Sequence, residues 1–225
     1  MTTSEKNALK FFSSLGIEIK KVPESTEQTP DYLLIVRDQP IFLEVKEIDE
    51  NPKERSVLKD IEKFGESGCY DSSPLGKRFR SKIVESNKQL KKKCKNNEPG
   101  IALIQDVRSF FTKSIDPQEE IKQAMFGDRV IWRTMPSIQN SQPTKVTADI
   151  FSANKTTTAE KNTTISAVGF LAEHYQSGDL LMFLYHNPFA RNPIEESLFS
   201  DLSIKQFKIG STRNYCEFVE IENTK

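Results

Sequence analysis

The chain of 225 residues predicts an α/β fold, a mixed central sheet flanked by helices in a single domain. Its length fits one domain with a substantial core, because domains typically hold on the order of 100 to 200 residues. Segments of helical periodicity alternate with short β-branched runs. Their order, helix, three strands, helix, strand, helix, strands, is that of an α/β layer.

Residues 2–15 predict a helix, with Ala8, Phe11, Phe12 and Leu15 at helical spacing and Gly16 as its stop. A strand is expected at 17–22. After a polar, turn-rich stretch, the apolar runs 32–36 and 41–48 flank Arg37-Asp38-Gln39-Pro40. This predicts a hairpin with a four-residue loop in which Val36 faces Ile41. Residues 51–76 carry Gly65, Gly68, Pro74 and Gly76 and read as a mobile loop with a short helix near 57–64. Residues 77–95 predict an amphipathic helix with a narrow apolar stripe of Phe79, Ile83, Leu90 and Cys94. A buried strand follows at 101–104. A helix over 117–126 begins at Asp116-Pro117 and stops at Gly127. A strand at 129–133 comes next, then a polar, exposed and flexible insertion at 137–164. Strands at 165–172, 180–185, 205–209 and 215–221 complete the order.

Composition narrows the function. No run of about 18 apolar residues occurs and no basic-then-apolar leader opens the chain, so a cytoplasmic protein without a membrane partner is expected. Cys69, Cys94 and Cys216 show no C-x-x-C spacing, and His174 and His186 are far along the chain from the first two, which predicts reduced thiols and no structural zinc. The 32 basic and 32 acidic residues cancel, so a nucleic acid would have to be held by a local patch.

Glu44 and Lys46 are two positions apart in a strand and share one face. The expected register sets Asp31 opposite Lys46 on that same face, whereas a slip of one residue would send it to the other. Charges amid an apolar strand pair need a partner, a metal or water. Two carboxylates suit Mg²⁺, which neutralises a scissile phosphate and makes a bound water nucleophilic.

Thr29-Pro30-Asp31, an apolar strand, then Leu43-Glu44-Val45-Lys46 resemble the PD-(D/E)XK signature of the restriction-endonuclease-like nuclease superfamily. The resemblance runs through the helix that ends near Lys95. It implies a restriction-endonuclease-like fold in which Asp31, Glu44 and the carbonyl of Val45 hold Mg²⁺, with Mn²⁺ as a substitute, and Lys46 orients or activates the attacking water. It also implies Glu5 as a further metal ligand or positioning acid, and a contribution to the site from Gln89 or Lys82. The implied activity is phosphodiester hydrolysis of nucleic acid, DNA rather than RNA and as an endonuclease; a homodimer is compatible with it. The pairs Glu18-Ile-Lys20 and Glu120-Ile-Lys122 lack the upstream Pro-Asp and are decoys.

Each residue has a plainer alternative. Asp31, Glu44 and Lys46 would be surface charges if the hairpin had a solvated face. Thr2-Thr3-Ser4-Glu5 is also a capping box. Lys77, Arg78, Arg80, Lys82, Lys88, Lys91, Lys92, Lys93 and Lys95 face the single acid Glu85 and can neutralise phosphates, or simply confer solubility. His186 fits a turn cap better than a general base, and Trp132, Phe110 and Phe111 fit the core better than base stacking. The rival function is a nuclease-fold protein that binds nucleic acid, or serves defence or an accessory interaction, without cleaving.

Overall fold

A computed structural model describes residues 1–23, 28–68, 74–94, 97–134, 145–174, 176–212 and 215–222. The elements run α1 (Thr3–Ser14), β1 (Glu18–Lys21), β2 (Tyr32–Val36), β3 (Gln39–Ile48), α2 (Pro52–Phe64), α3 (Lys77–Lys93), β4 (Gly100–Asp106), α4 (Pro117–Phe126), β5 (Arg129–Arg133), β6 (Val146–Phe151), β7 (Ala167–Glu173), β8 (Leu180–His186), β9 (Ile204–Thr212) and β10 (Tyr215–Glu220). Eight strands form one mixed sheet in the order β1-β2-β3-β4-β7-β8-β9-β10, and β5 and β6 form a separate pair. The first three strands are antiparallel; β3, β4 and β7 are parallel. The fold class is the expected mixed α/β.

Two apolar layers cover the faces of the sheet. Ala8, Phe11 and Phe12 of α1 pack with Leu34, Ile41, Leu43 and Val45 on one side. Phe79, Ile83 and Leu90 of α3 pack with Ala102, Ile104, Ile121 and Met125 on the other. Odd positions of β3 therefore face α1 and even positions face α3, the alternation expected of a strand buried on both sides. α3 lies tight on α4: Gly76, its N-cap at φ 71°, has no room for a Cβ because one would collide with the Glu120 carbonyl. This contact fixes the helix that carries Gln89.

Several expectations change. The turn between β2 and β3 has two residues, Arg37 at φ 47° and Asp38 at φ 63°, so Val36 pairs with Gln39 and Ile41 with Leu34. Gln39 and Pro40 belong to the strand. The short helix expected near 57–64 starts at Pro52, capped by Asn51 and Glu54 in a capping box. That box is legible in Asn51-Pro52-Lys53-Glu54, beside the glycines and proline that otherwise mark the segment as loop. Of the expected insertion, residues 137–144 lie outside the described residues, but Val146–Phe151 pairs with β5. Beyond it Thr156 and Thr157 are buried, their hydroxyls donating to the Ala124 and Met125 carbonyls at 2.6 and 2.8 Å. These threonines satisfy carbonyls that the last turn of α4 leaves open. Phe110, Phe111 and Trp132 are exposed rather than in the core. Cys94 is a free, buried thiol, while Cys69 lies outside the described residues. Among the described residues, no helix is long and apolar enough to cross a membrane.

Candidate functional site

The site forms where β2 and β3 part. Phe42 donates to the Pro99 carbonyl on the β4 side, so alternation aims the N–H of Val45 toward β2. Its ladder partner there would be Pro30, but β2 begins at Tyr32. Asp31 Oδ2 accepts the Val45 N–H instead, at 2.8 Å. The Asp31 carbonyl stays in the sheet, accepting from Val22 at 2.9 Å. Asp31 thus spends its backbone on one neighbouring strand and its carboxylate on the gap beside the other. The same alternation turns the Val45 carbonyl to that edge, while the Val45 side chain is in the core under α1.

With the two-residue turn, Asp31 falls across from Glu44 rather than Lys46. The change from the expected register is an even number of residues, so Asp31 keeps its face. Glu44 is fully buried, and Lys46 Nζ lies 2.6 Å from its Oε1 with the lysine side chain 18% exposed. The Asp31 carboxylate lies near enough to Glu44 to repel its charged form. Gln89 reaches them from α3, with its amide close to both Glu44 oxygens and 3.5 Å from Lys46 Nζ. Against an ionised Glu44 the amide nitrogen must face the carboxylate, where it donates to both oxygens; an oxygen there would meet only acceptors.

Burial pushes the Glu44 carboxyl up to about 7, with Asp31 adding repulsion and Lys46 opposing. Burial likewise raises Asp31, against the Val45 amide and Lys46, with Glu5 adding repulsion. Two acids therefore face one ammonium, and the cluster is short of positive charge. Its donors are hard oxygens, the set that Mg²⁺ or Mn²⁺ takes, and one or two carboxylates with water and phosphate oxygens are what Mg²⁺ usually binds. Among the described residues, no group of three or more His, Cys, Asp or Glu is arranged so that it could hold a metal ion.

The other sequence candidates are placed as follows. Glu5 closes the capping box: its Oε2 accepts from the Thr2 amide and Thr2 Oγ1 accepts from the Glu5 amide at 3.2 Å. Lys82 pairs with Glu85 at 3.5 Å. Arg78 pairs with Glu54 at 2.7 Å, and Arg80 with Asp128 at 2.8 Å, so the two arginines are engaged within the fold. Lys77, Lys91, Lys92 and Lys93 are exposed, and Lys95 lies outside the described residues. His186 is on β8, with β4 and β7 between it and β3, and Nε2 meets Gln206 at 3.0 Å; burial pushes its pKa down. Glu18 and Lys20 pair with each other on the exposed β1, and the second decoy is in α4.

Sequence reasoning missed two residues beside the site. Glu47 Oε2 accepts from the amide and the hydroxyl of Ser4, both at 2.9 Å, which ties the first turn of α1 to β3. Tyr32 is buried with an unpartnered hydroxyl. Glu47 lies on the Val45 face, and its parity alone could have marked it as an acid directed into a packed layer. No family model, curated protein sequence or solved structure matches this chain.

Proposed function

We propose that the chain is a divalent-metal-dependent nuclease of the restriction-endonuclease-like type, cleaving phosphodiester bonds in DNA as an endonuclease. One observation carries the reading: a fully buried glutamate shares one face with Asp31, Lys46 and Gln89, yet the cluster has only a single cation. A buried charge deficit of this kind is unfavourable for folding alone and is common where a ligand supplies the missing charge. Asp31, Glu44 and the Val45 carbonyl would hold Mg²⁺ or Mn²⁺. Bound there, the ion would neutralise charge on the scissile phosphate and lower the pKa of a coordinated water.

The chain's own residues have separable tasks. Gln89 fixes the direction of the Glu44 oxygens from a helix clamped against α4. Asp31 is held in the gap by the Val45 amide, so its carboxylate is oriented before any ligand arrives. Lys46, partly open to solvent, can move from Glu44 to the attacking water or to the charge developing on phosphorus. The exposed lysines of α3 supply the electrostatic part of binding.

Asp31→Ala and Glu44→Ala should each abolish Mg²⁺-dependent cleavage of duplex or single-stranded DNA while leaving the circular-dichroism spectrum intact. Wild-type turnover in either variant would end the assignment.

A further inference from the structure

Phe110 and Phe111, in the segment between β4 and α4, are 82% and 67% exposed, and Ile115 of the same segment is open to solvent as well. The segment is nevertheless held. Arg108 is tied to Asp106 and Glu54, the Ser109 amide donates to Glu50 at 2.6 Å, and the Thr112 and Lys113 amides both donate to the Ser109 carbonyl at 2.9 Å. A turn fastened in this way keeps two adjacent aromatic rings in water, where folding alone would favour covering them. The rings meet edge to face with centroids 5.9 Å apart, and at their exposures each still presents a face to solvent.

They line a cavity of 790 Å³ together with Ile115, Leu181 and Phe183. Lys113 and Glu173 bring one charge of each sign to it, and no ion pair with a described residue engages Lys113. The cavity stands at the carboxyl ends of the parallel strands β4 and β7, the end at which open α/β sheets place their ligands. It is also on the sheet face of Glu44 and Lys46. Lys46, Ile104, Phe170 and Phe183 form one row across β3, β4, β7 and β8, which sets the cavity wall about 14 Å from Lys46 at about 4.8 Å per strand. Phe79 of α3 packs on Phe170 within that row, so a chain joining the two places crosses the start of α3, where Lys77 is exposed.

We propose that Phe110 and Phe111 are a stacking platform for unpaired nucleobases, with Lys113 on the adjoining phosphate, so that the substrate carries a single-stranded stretch. The inference rests on the nucleic-acid reading above. Every base has a π-face that an exposed ring can cover, whereas the bases of an intact duplex are already stacked on one another.

The test is fluorescence anisotropy of labelled oligothymidine and of a duplex of equal length, titrated with the full chain in EDTA so that nothing is cleaved. The double variant Phe110→Ala, Phe111→Ala should bind the single strand at least roughly tenfold more weakly, leave duplex binding unchanged and melt with wild type. Phe110→Trp with Phe111→Tyr keeps two aromatic faces and should bind the single strand as wild type does. Lys113→Gln should lower the salt slope for the single strand by about 0.7, and an unchanged slope would remove the phosphate contact from the proposal. Wild-type affinity of the double alanine variant for the single strand, or equal losses for single strand and duplex, would overturn the platform and leave the nuclease reading standing. So would sedimentation showing that wild type pairs with a second copy and the double variant does not, with DNA binding equal. Melting of the double variant several degrees below wild type would overturn it by showing that the rings serve the fold. A wild-type chain that binds neither DNA would overturn the nucleic-acid reading and the platform with it.

Discussion

Two clusters of charge lie along β3 and β4, and they are solved in opposite ways. In the first, Arg108 donates to both oxygens of Asp106 at 2.9 and 2.7 Å and to Glu54 at 2.9 Å, while Arg78 donates to the other Glu54 oxygen at 2.7 Å. Two cations meet two anions, and the Asn51 amide adds a further bond to Glu54. Burial works to raise Glu54, but the Asn51 amide, Arg78 and Arg108 outweigh it and hold the carboxyl below its usual range. In the second, burial again leads, the charge of Asp31 adds to it, and Lys46 with the Asp31 amide does not offset them, so Glu44 is raised to about 7. Similar carboxyl groups thus move in opposite directions because one set has its counter-charge built in. The first cluster fastens α2 and the segment after β4 to the sheet; the second keeps an excess of negative charge, which the proposed cation would neutralise.

The contrast predicts that truncation hurts the closed cluster most. Arg108→Ala leaves the buried Asp106 without its ion-pair partner and takes one of two cations from Glu54, and should cost about 3 to 5 kcal/mol in chemical denaturation. A loss below about 1 kcal/mol, the value of an exposed pair, would erase the distinction drawn here.

Glu44 should show the opposite sign. Its folded pKa of about 7 exceeds the ordinary value of 4.5, so between these pH values the native state keeps a proton that the unfolded chain has released. Stability contributed by the protonated form is therefore present below about 4.5, falls as pH rises to about 7, and stays lost above that. The size is about 3 kcal/mol on the scale of 1.36 kcal/mol per pH unit. Glu44→Gln should flatten this slope and melt higher than wild type at pH 8 without metal, despite losing its bond to Lys46. A variant less stable than wild type at pH 8 would mean that Lys46 already compensates the site.

This difference bears on what could be read from the sequence. Parity placed Glu44 and Lys46 on one face, and β-branched patterning marked the strands around them, because both are local properties. The register was not local. A two-residue turn with positive φ at both positions ordinarily announces itself by Asn-Gly or Asp-Gly, and Arg37-Asp38 carries neither glycine. Pro40 also points to a longer loop, since proline usually marks one. Here it sits opposite Ile35 with the same parity as Phe42, so its missing N–H is turned away from β2. The counter-charges of Glu54 are equally invisible: Arg78 and Arg108 are distant in sequence, and only the fold brings α2, the start of α3 and the segment after β4 together. For the same reason Arg78 and Arg80 read as phosphate-binding charges although the fold engages both. Phe110, Phe111 and Trp132 read as core because residue type reports preference and not position.

The smallest expected effect concerns the exposed end of α3. Replacing Lys91, Lys92 and Lys93 with Gln should leave stability nearly unchanged and lower the slope of log K against log salt for DNA by at most about three, one counterion for each phosphate lost. An unchanged slope would make that run a solubilising face and move the binding surface elsewhere.

The most direct test of the open cluster is Mn²⁺ calorimetry at pH 8 on wild type, Glu44→Gln, Asp31→Asn and Lys46→Met. The carboxylate variants lose ligands, so binding should fall below detection, whereas Lys46→Met removes no ligand and relieves a competing cation, so it should bind at least as tightly as wild type. Equal Mn²⁺ binding by wild type and Glu44→Gln, or no binding by wild type, would contradict the assignment of Asp31 and Glu44 as a cation site.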